Sequence, residues 1–162
     1  MTNPYGRETK IPAVHSGRGL RFLWSALELI SVMPLILLRV YVPLSMGYTV
    51  IAERYVPDTI VGIAYYTNDS KFLTSHAAKF LLHFIPKQTV FIHLDSSYSA
   101  ILKRRGRHVD SYQYLEFQRK GYKTLGEIVG ATLIDTSDMS VGDTSKRIMT
   151  HLLESQTLPK QE

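Results

Sequence analysis

Short apolar runs alternate along the chain with longer segments in which apolar residues recur every three or four positions. The short runs are typical of buried strands, and the longer segments are typical of helices packed on one side. The predicted strands cover residues 48–52, 89–94 and 131–135. The predicted helices cover residues 20–38, 57–66, 72–84, 98–105, 112–129 and 144–153. This alternation indicates an α/β fold in which a parallel sheet is flanked by helices.

Prolines and glycines mark where several of these elements change direction. Pro34 is expected to kink or interrupt the first helix, because proline lacks an amide and clashes with the preceding turn. Gly130 is expected to end the helix that begins near Tyr112. The prediction for the whole chain is an irregular segment over 1–19, a single domain over 20–155 and a polar tail over 156–162.

The most apolar part of the chain is residues 20–46, where a membrane span has to be considered. Its longest uncharged run, residues 29–38, falls well short of the ~20 residues that cross a bilayer. We therefore predict a helix packed on a sheet and no transmembrane span. Residues 1–10 are polar and lack the apolar core of a signal peptide, so we expect a soluble, cytoplasmic protein.

The charge and the residue types narrow the candidate chemistry only in part. The 162 residues carry a formal net charge of +5, and the densest basic run is 103–108. Such an excess suits nucleotide phosphate, nucleic acid or a membrane surface, and it does not choose among them. The absence of cysteine excludes disulfides and thiolate metal sites. The histidines show no metal-ligand spacing, so no metal site is predicted.

The predicted strand over 48–52 ends abruptly on Glu53, Arg54 and Tyr55. Ligands of open parallel sheets bind just beyond the carboxyl ends of the strands. One interpretation is that Arg54 forms a fork on a phosphate and is steadied by Glu53. The alternative is an exposed salt bridge that contributes little. The other two predicted strands also end on carboxylates, Asp95 and Asp135.

The basic run 103–108 also has two interpretations. Cations are common in the last turn of a helix, where the dipole favours them. The alternative is a mobile loop whose arginines close over transferring phosphates. Arg119 and Tyr122 are three positions apart, so they share one helix face, which is either an ordinary surface or part of a site.

Landmarks from about Tyr48 to Leu153 follow one another in an order found in one enzyme family. They are Glu53-Arg54-Tyr55, Asp58 through Tyr65, Thr89 through Asp95, Ala100 through Arg105, Phe117-Gln118-Arg119 with Tyr122, and Thr132 through Leu152. The ordered set resembles the thymidylate kinases, which are P-loop nucleoside monophosphate kinases. The resemblance implies a P-loop kinase-like α/β fold that binds thymidylate or another nucleoside monophosphate. It also implies ATP with Mg²⁺ as the cofactors of an active enzyme.

The resemblance further implies roles for individual residues. Arg54 would hold the acceptor phosphate, and Glu53 would orient it or a magnesium-bound water. The arginines of a lid, near the transferred phosphoryl group, would be Arg104, Arg105 or Arg107. The side chains near the acceptor would be Tyr55, Tyr65 and Tyr66, followed by Arg119 and Tyr122.

The sequence departs from the family in one respect, because it contains no G-x-x-x-x-G-K-[ST] motif. In that motif, backbone amides and the lysine cradle the donor phosphates. In the family it follows a central strand, whose loss would leave sheet edges that are normally paired. We therefore expect a partial kinase that is inactive alone, as part of a longer kinase or with its sheet completed by a homodimer or partner chain.

Two other functions compete with this expectation. One is an anion-binding or nucleic-acid-binding module that uses the basic run 103–108. The other is an interaction subunit that docks on a partner or a membrane through the apolar residues 20–46.

Overall fold

The computed structural model describes residues 33–53, 55–106 and 110–157, together with residues 23, 27, 30 and 31. The described residues fall into two compact units, one within Lys10–Ile85 and one within Pro86–Glu162. Each unit is described by itself. The prediction of a single domain over 20–155 stays a prediction.

The unit within Lys10–Ile85 is helical. Its helices are α1 (Val42–Ser45), α2 (Val56–Tyr66) and α3 (His76–Leu82), and a 3-10 turn covers Ser70–Thr74. The core of this unit is the buried face of α2, where Val56, Ile60 and Ile63 recur at helical spacing and are almost fully buried. Helix α2 confirms the helix predicted over 57–66, with a proline in its first turn as expected.

A π-helical turn, Leu37–Tyr41, leads directly into α1. The amide of Val42 donates to the carbonyl of Leu37, five residues earlier, and the next residue is Pro43. Proline has no amide and its ring crowds the carbonyl four residues earlier, so the wider turn accommodates it. The sequence predicted an irregularity near Pro34, whereas in the structure the irregular turn is Leu37–Tyr41, which precedes Pro43.

Two predicted elements of this unit are corrected. Residues 48–52 are not a strand: they are irregular, and the side chain of Ile51 is 95% exposed. Their β-branched residues favour an extended chain, but a strand forms only when a neighbour pairs with it, and no described residue does so. The helix predicted over 72–84 is divided at Ser75, because the Ser75 hydroxyl accepts from the amide of Ala78 at 3.2 Å and starts α3 there.

The unit within Pro86–Glu162 is a mixed α/β structure. Its elements in chain order are β1 (Ile92–Asp95), α4 (Tyr98–Arg105), α5 (Tyr112–Val129), β2 (Thr132–Asp135) and α6 (Val141–Thr157). The two strands are parallel and in register from Ile92 opposite Thr132 to Asp95 opposite Asp135. The predicted α/β class with a parallel sheet is therefore confirmed, with a sheet of two strands among the described residues. The finer assignment, a P-loop kinase-like fold, stays a prediction.

Local capping explains where the helices of this unit begin and end. The hydroxyls of Ser97 and Ser111 accept from amides in the first turns of α4 and α5. Gly130 adopts a left-handed conformation, with φ of 67°, and ends α5. Helix α6 starts at Val141 and extends to Thr157, which is longer than the prediction of 144–153 and takes in the start of the predicted polar tail.

Among the described residues, no helix is both long enough and apolar enough to cross a bilayer.

Candidate functional site

The two parallel strands end side by side on carboxylates. Asp95 closes β1 and lies opposite Asp135, which closes β2. Because both strands run in the same direction, their polar ends lie at one edge of the sheet, where α/β proteins bind ligands. This edge is the candidate functional site of the unit.

Arg119 of α5 forms a bidentate ion pair with Asp95. Its Nε donates to Oδ1 of Asp95 at 2.7 Å, and its Nη2 donates to Oδ2 at 2.7 Å. The Arg119 guanidinium holds the pKa of Asp95 below its usual range, and the amide of Ser96, 2.9 Å from Oδ1, acts in the same direction. The same hydrogen bonds raise the pKa of Arg119. The remaining Nη1 edge is 3.9 Å from Glu116, and the Arg119 side chain is 42% exposed.

Asp135 organises the loop that follows β2. Its Oδ1 accepts from the hydroxyl of Ser137 at 2.6 Å and from the amide of Ser137 at 2.8 Å, and these bonds lower the pKa of Asp135. The Ser137 hydroxyl oxygen in turn accepts from the amide of Ser97 at 2.9 Å. Ser137 therefore joins the loops that follow β1 and β2. Thr136 adds to this link, because its amide donates to the carbonyl of Asp95 at 2.8 Å.

A cavity of about 180 Å³ opens beside the Asp95–Arg119 pair. It is smaller than the ~300–1,000 Å³ of typical ligand pockets, so it suits a compact group or one end of a larger ligand. Its wall contains both polar and apolar or aromatic side chains. The lining residues are His93, Leu94, Asp95, Ser96, Tyr98, Ile101, Leu115, Glu116, Gln118, Arg119 and Tyr122.

His93 lies half-buried in the wall of this cavity. Its ring centroid is 6.0 Å from that of Tyr122. Burial lowers the pKa of His93 and Arg119 lowers it further, while Asp95 opposes them. The imidazole is therefore biased towards its neutral form, which can donate and accept a hydrogen bond.

The structure brings together two of the residues named from the sequence. Arg119 and Tyr122 lie on the same face of α5, as their spacing predicts, and both line the cavity. Asp95 was recognised only as a strand end, Gln118 was only part of a quoted landmark, and neither Ser96 nor Glu116 was predicted as a site residue. A carboxylate directly after a strand was the available signal for Asp95. Its pairing with Arg119 depends on the packing of α5, which the sequence does not specify.

Arg104 is engaged in a different way from that expected of a lid arginine. Its Nη2 donates to three carbonyl oxygens of the loop after β2, those of Thr136, Ser137 at 3.3 Å and Met139 at 3.1 Å. In this structure Arg104 therefore holds that loop against α4. Arg105, the next residue, is exposed at the end of α4. Arg107 lies outside the described residues.

The remaining predicted site residues belong to the unit within Lys10–Ile85. Glu53 is exposed after the irregular residues 48–52, and Arg54 lies outside the described residues. Tyr65 and Tyr66 pack edge to face with ring centroids 5.5 Å apart. Burial raises the pKa of Tyr55, with a smaller contribution from Tyr41. The Tyr55 hydroxyl is buried without a hydrogen-bond partner among the described residues.

The carboxylates at the sheet edge do not make a Mg²⁺ site. Both oxygens of Asp95 already accept from Arg119, and Asp135 uses one oxygen for Ser137. Mg²⁺ requires near-octahedral oxygen coordination by ligands that are free to bind it. Among the described residues, no group of three or more metal-binding side chains is suitably arranged.

Comparison with known proteins leaves the family open. The chain matches no protein-family model, no curated protein and no solved structure. The resemblance to thymidylate kinases therefore rests on the ordered residues of the sequence alone and remains a prediction.

Proposed function

We propose that the chain is a nucleotide-binding domain similar to the thymidylate kinases, and that it is inactive in phosphoryl transfer on its own. The observation that carries the nucleotide-binding part is the Asp95–Arg119 pair beside a cavity at the carboxyl end of two parallel strands. The ordered residues quoted from the sequence supply the choice of nucleotide class.

The arginine is suited to a phosphate because Asp95 fixes its orientation. A guanidinium has five donor N–H groups, and Asp95 occupies one side of that fork. The Nη1 edge is 3.9 Å from the carboxylate of Glu116, and the Arg119 side chain is 42% exposed, so a ligand can reach this edge. A phosphate held by such a preorganised arginine loses less entropy on binding than one held by a flexible lysine. The net charge of +5 favours the same class of ligand.

The size and lining of the cavity agree with one end of a nucleotide. About 180 Å³ accommodates a phosphoryl group, with the nucleoside extending outwards. Tyr98 and Tyr122 lie in the wall and offer aromatic faces for a base or sugar. The contacts to the acceptor that the resemblance implies for Arg54 and the tyrosines at 55, 65 and 66 belong to the other unit and stay predictions.

The inactivity is proposed from the missing phosphate-binding motif. Without G-x-x-x-x-G-K-[ST] the chain has no established cradle for the phosphates of ATP. Arg104, expected to act in a lid, bonds to backbone carbonyls instead. A P-loop segment, from the rest of a longer kinase or from a partner chain, would be required for transfer.

The test is calorimetric titration of the 162-residue chain with thymidylate and, separately, with ATP and Mg²⁺. Thymidylate is expected to bind and ATP is not. Arg119→Ala should weaken thymidylate binding by roughly tenfold or more, because one charge-assisted contact is worth about 1.5–3 kcal/mol. Arg147→Ala removes an exposed arginine of α6 and is the matched control, with unchanged binding.

Three results would contradict the proposal or part of it. Failure to bind thymidylate at millimolar concentration would reject nucleotide binding. Loss of binding in Arg54→Ala but not in Arg119→Ala would show that Arg54, as the resemblance implies, and not Arg119 binds the phosphate. Efficient ATP-dependent phosphorylation of thymidylate by the chain alone would reject the inactivity.

A further inference from the structure

We propose that residues 35–52 form the interface of a homodimer, in which residues 49–52 pair as a β-strand with the same segment of a second copy. The interface is defined by six exposed side chains, which are Leu35, Leu37, Leu38, Met46, Tyr48 and Ile51. This inference does not rest on the proposed nucleotide binding, whose carrying observation, the Asp95–Arg119 pair, lies in the other unit.

Six apolar side chains within this short stretch are exposed. The exposed fractions of these six side chains run from 48% for Leu35 to 95% for Ile51. Summed over the six residues, this exposure amounts to several hundred Å², on the order of the ~800 Å² that one partner contributes to a standard interface. Single exposed apolar side chains are ordinary, but six in one short stretch are typical of an interaction surface.

The opposite side of the same segment is already fixed to its own unit. Ile36 and Val40 are buried, and the Tyr41 hydroxyl donates to the carbonyl of Phe84 at 2.9 Å. The leucines at 35, 37 and 38 cannot turn inwards without breaking these contacts. They are thus presented outwards by a segment that is anchored on its other face.

The backbone of residues 49–52 is also available for pairing with another strand. The amide of Tyr48 donates to the carbonyl of Pro43 at 3.0 Å, but residues 49–52 make no hydrogen bond to another described residue. Their sequence, Thr-Val-Ile-Ala, favours an extended conformation. A second strand would pair with the amides and carbonyls on one edge of this segment, which belong to every other residue, as in other cases of strand addition.

These open backbone groups argue against a lipid as the occupant. Hydrocarbon offers no partners for backbone amides, so burying residues 49–52 in a bilayer would carry a large cost. The low charge of this segment also argues against binding to a lipid surface. Residues 33–52 hold one charged side chain, Arg39, which gives an anionic lipid surface little to attract.

A second copy of the chain fits the remaining requirements. A surface with one charge per copy can face itself with little repulsion, and its apolar side chains are self-complementary in chemistry. Identical segments pair antiparallel across a two-fold axis, which gives a closed, isologous dimer rather than an open fibre. The paired strands would join the two copies through backbone hydrogen bonds flanked by leucine contacts.

The test is sedimentation equilibrium of the full chain over micromolar to millimolar concentration, together with amide hydrogen exchange. A reversible dimer is expected, and Leu38→Glu and Ile51→Glu should each weaken it by roughly tenfold or more, since both place a charge in its centre. Amides of residues 49–52 should become protected as the concentration rises. Met149→Glu, which adds the same charge at an exposed apolar site on α6, should leave the dimer unchanged. Thermal unfolding of each variant separates loss of the dimer from loss of the fold.

Several outcomes would overturn the proposal. A monomer at every concentration would reject the interface, as would a dimer that persists in both glutamate variants. A dimer whose 49–52 amides stay unprotected would reject strand pairing. Co-sedimentation of a monomeric chain with phosphatidylglycerol–phosphatidylcholine vesicles, abolished by Ile51→Glu, would assign the surface to lipid instead.

Discussion

Arg119 and Asp95 face each other as two forks, with Nε and Nη2 of the guanidinium each 2.7 Å from a different carboxylate oxygen. The pair joins the middle of α5 to the end of β1. It therefore fixes the helix against the sheet at the same point where it shapes the cavity wall.

Replacing Arg119 with alanine should lower the free energy of unfolding by about 1 kcal/mol, because the mostly covered Asp95 carboxylate would lose its partner. The loss is no larger because the Arg119 side chain is partly exposed and water screens the ion pair. Urea unfolding measures this loss. Lys123→Ala changes an exposed cation on the same helix and should alter the stability by less than ~0.5 kcal/mol. Equal effects of the two substitutions would show that the ion pair does not stabilise the fold.

The stability of the protein should fall on mild acidification because of His93. Its pKa is lowered in the folded state, chiefly by burial, so below about pH 6.5 the unfolded chain takes up a proton more readily than the folded chain. The contribution of His93 is thus complete above its unfolded pKa and is lost as the pH falls towards the folded value. Thermal unfolding between pH 7.5 and pH 5 tests this expectation.

His93→Gln should flatten that pH dependence, since glutamine does not titrate. The readout is the slope against pH, because the substitution also removes the ring contact with Tyr122. His76→Gln, which replaces an exposed imidazole in α3, is the matched control. An unchanged slope in His93→Gln would contradict the assignment of this pH dependence to His93.

Arg104 and Arg105 are adjacent in sequence but should respond differently to substitution. Arg104→Ala removes the donor that serves three carbonyls of the loop after β2, and it should cost about 1 kcal/mol, after allowance for the exposure of the side chain. Arg105→Ala should be nearly neutral in urea unfolding. Amide exchange should also show faster opening of residues 136–139 in the first variant only. Similar behaviour of the two variants would show that the loop is held by other contacts.

Gly130 should not tolerate a side chain. Its φ of 67° lies in the left-handed region, so Gly130→Ala is expected to destabilise the protein by about 1 kcal/mol or more. Gly62 offers the opposite case, because it lies within α2 and a methyl group there would meet no atom within 4 Å. Gly62→Ala should stabilise the helix by ~0.5–1 kcal/mol. Thermal unfolding of both variants provides the comparison, and an equal sign for both would contradict it.

Elements with purely local causes were predictable from the sequence. Helix α5 has the predicted bounds because Ser111 caps its start, Gly130 ends it, and the apolar spacing between them is helical. Helix α4 follows for a similar reason, because Ser97 caps its start. Strands β1 and β2 were predicted from their apolar runs, but each forms by pairing with the other, and β1 starts at Ile92 rather than at residue 89.

Elements that depend on a distant partner were not predictable. Residues 48–52 have the composition of a strand, but the composition does not supply a neighbour. The spacing of Arg119 and Tyr122 placed them on one face, whereas the carboxylate that Arg119 binds is far away in the sequence. Arg104 could not be assigned to the loop carbonyls, because backbone acceptors leave no signature in the residue types.

The π-helical turn at Leu37–Tyr41 bears on how this segment tolerates changes in length. The turn spans five residues where an α-helical turn spans four, so it stores one residue more than the helix needs. Deleting a single residue there would restore a regular helix and leave the flanking residues on their present faces. Deleting a residue from a regular α-helical turn, by contrast, rotates the flanking faces by about 100°. The π-helical turn is therefore a position at which the loss of one residue is expected to leave the anchored and the exposed faces where they are.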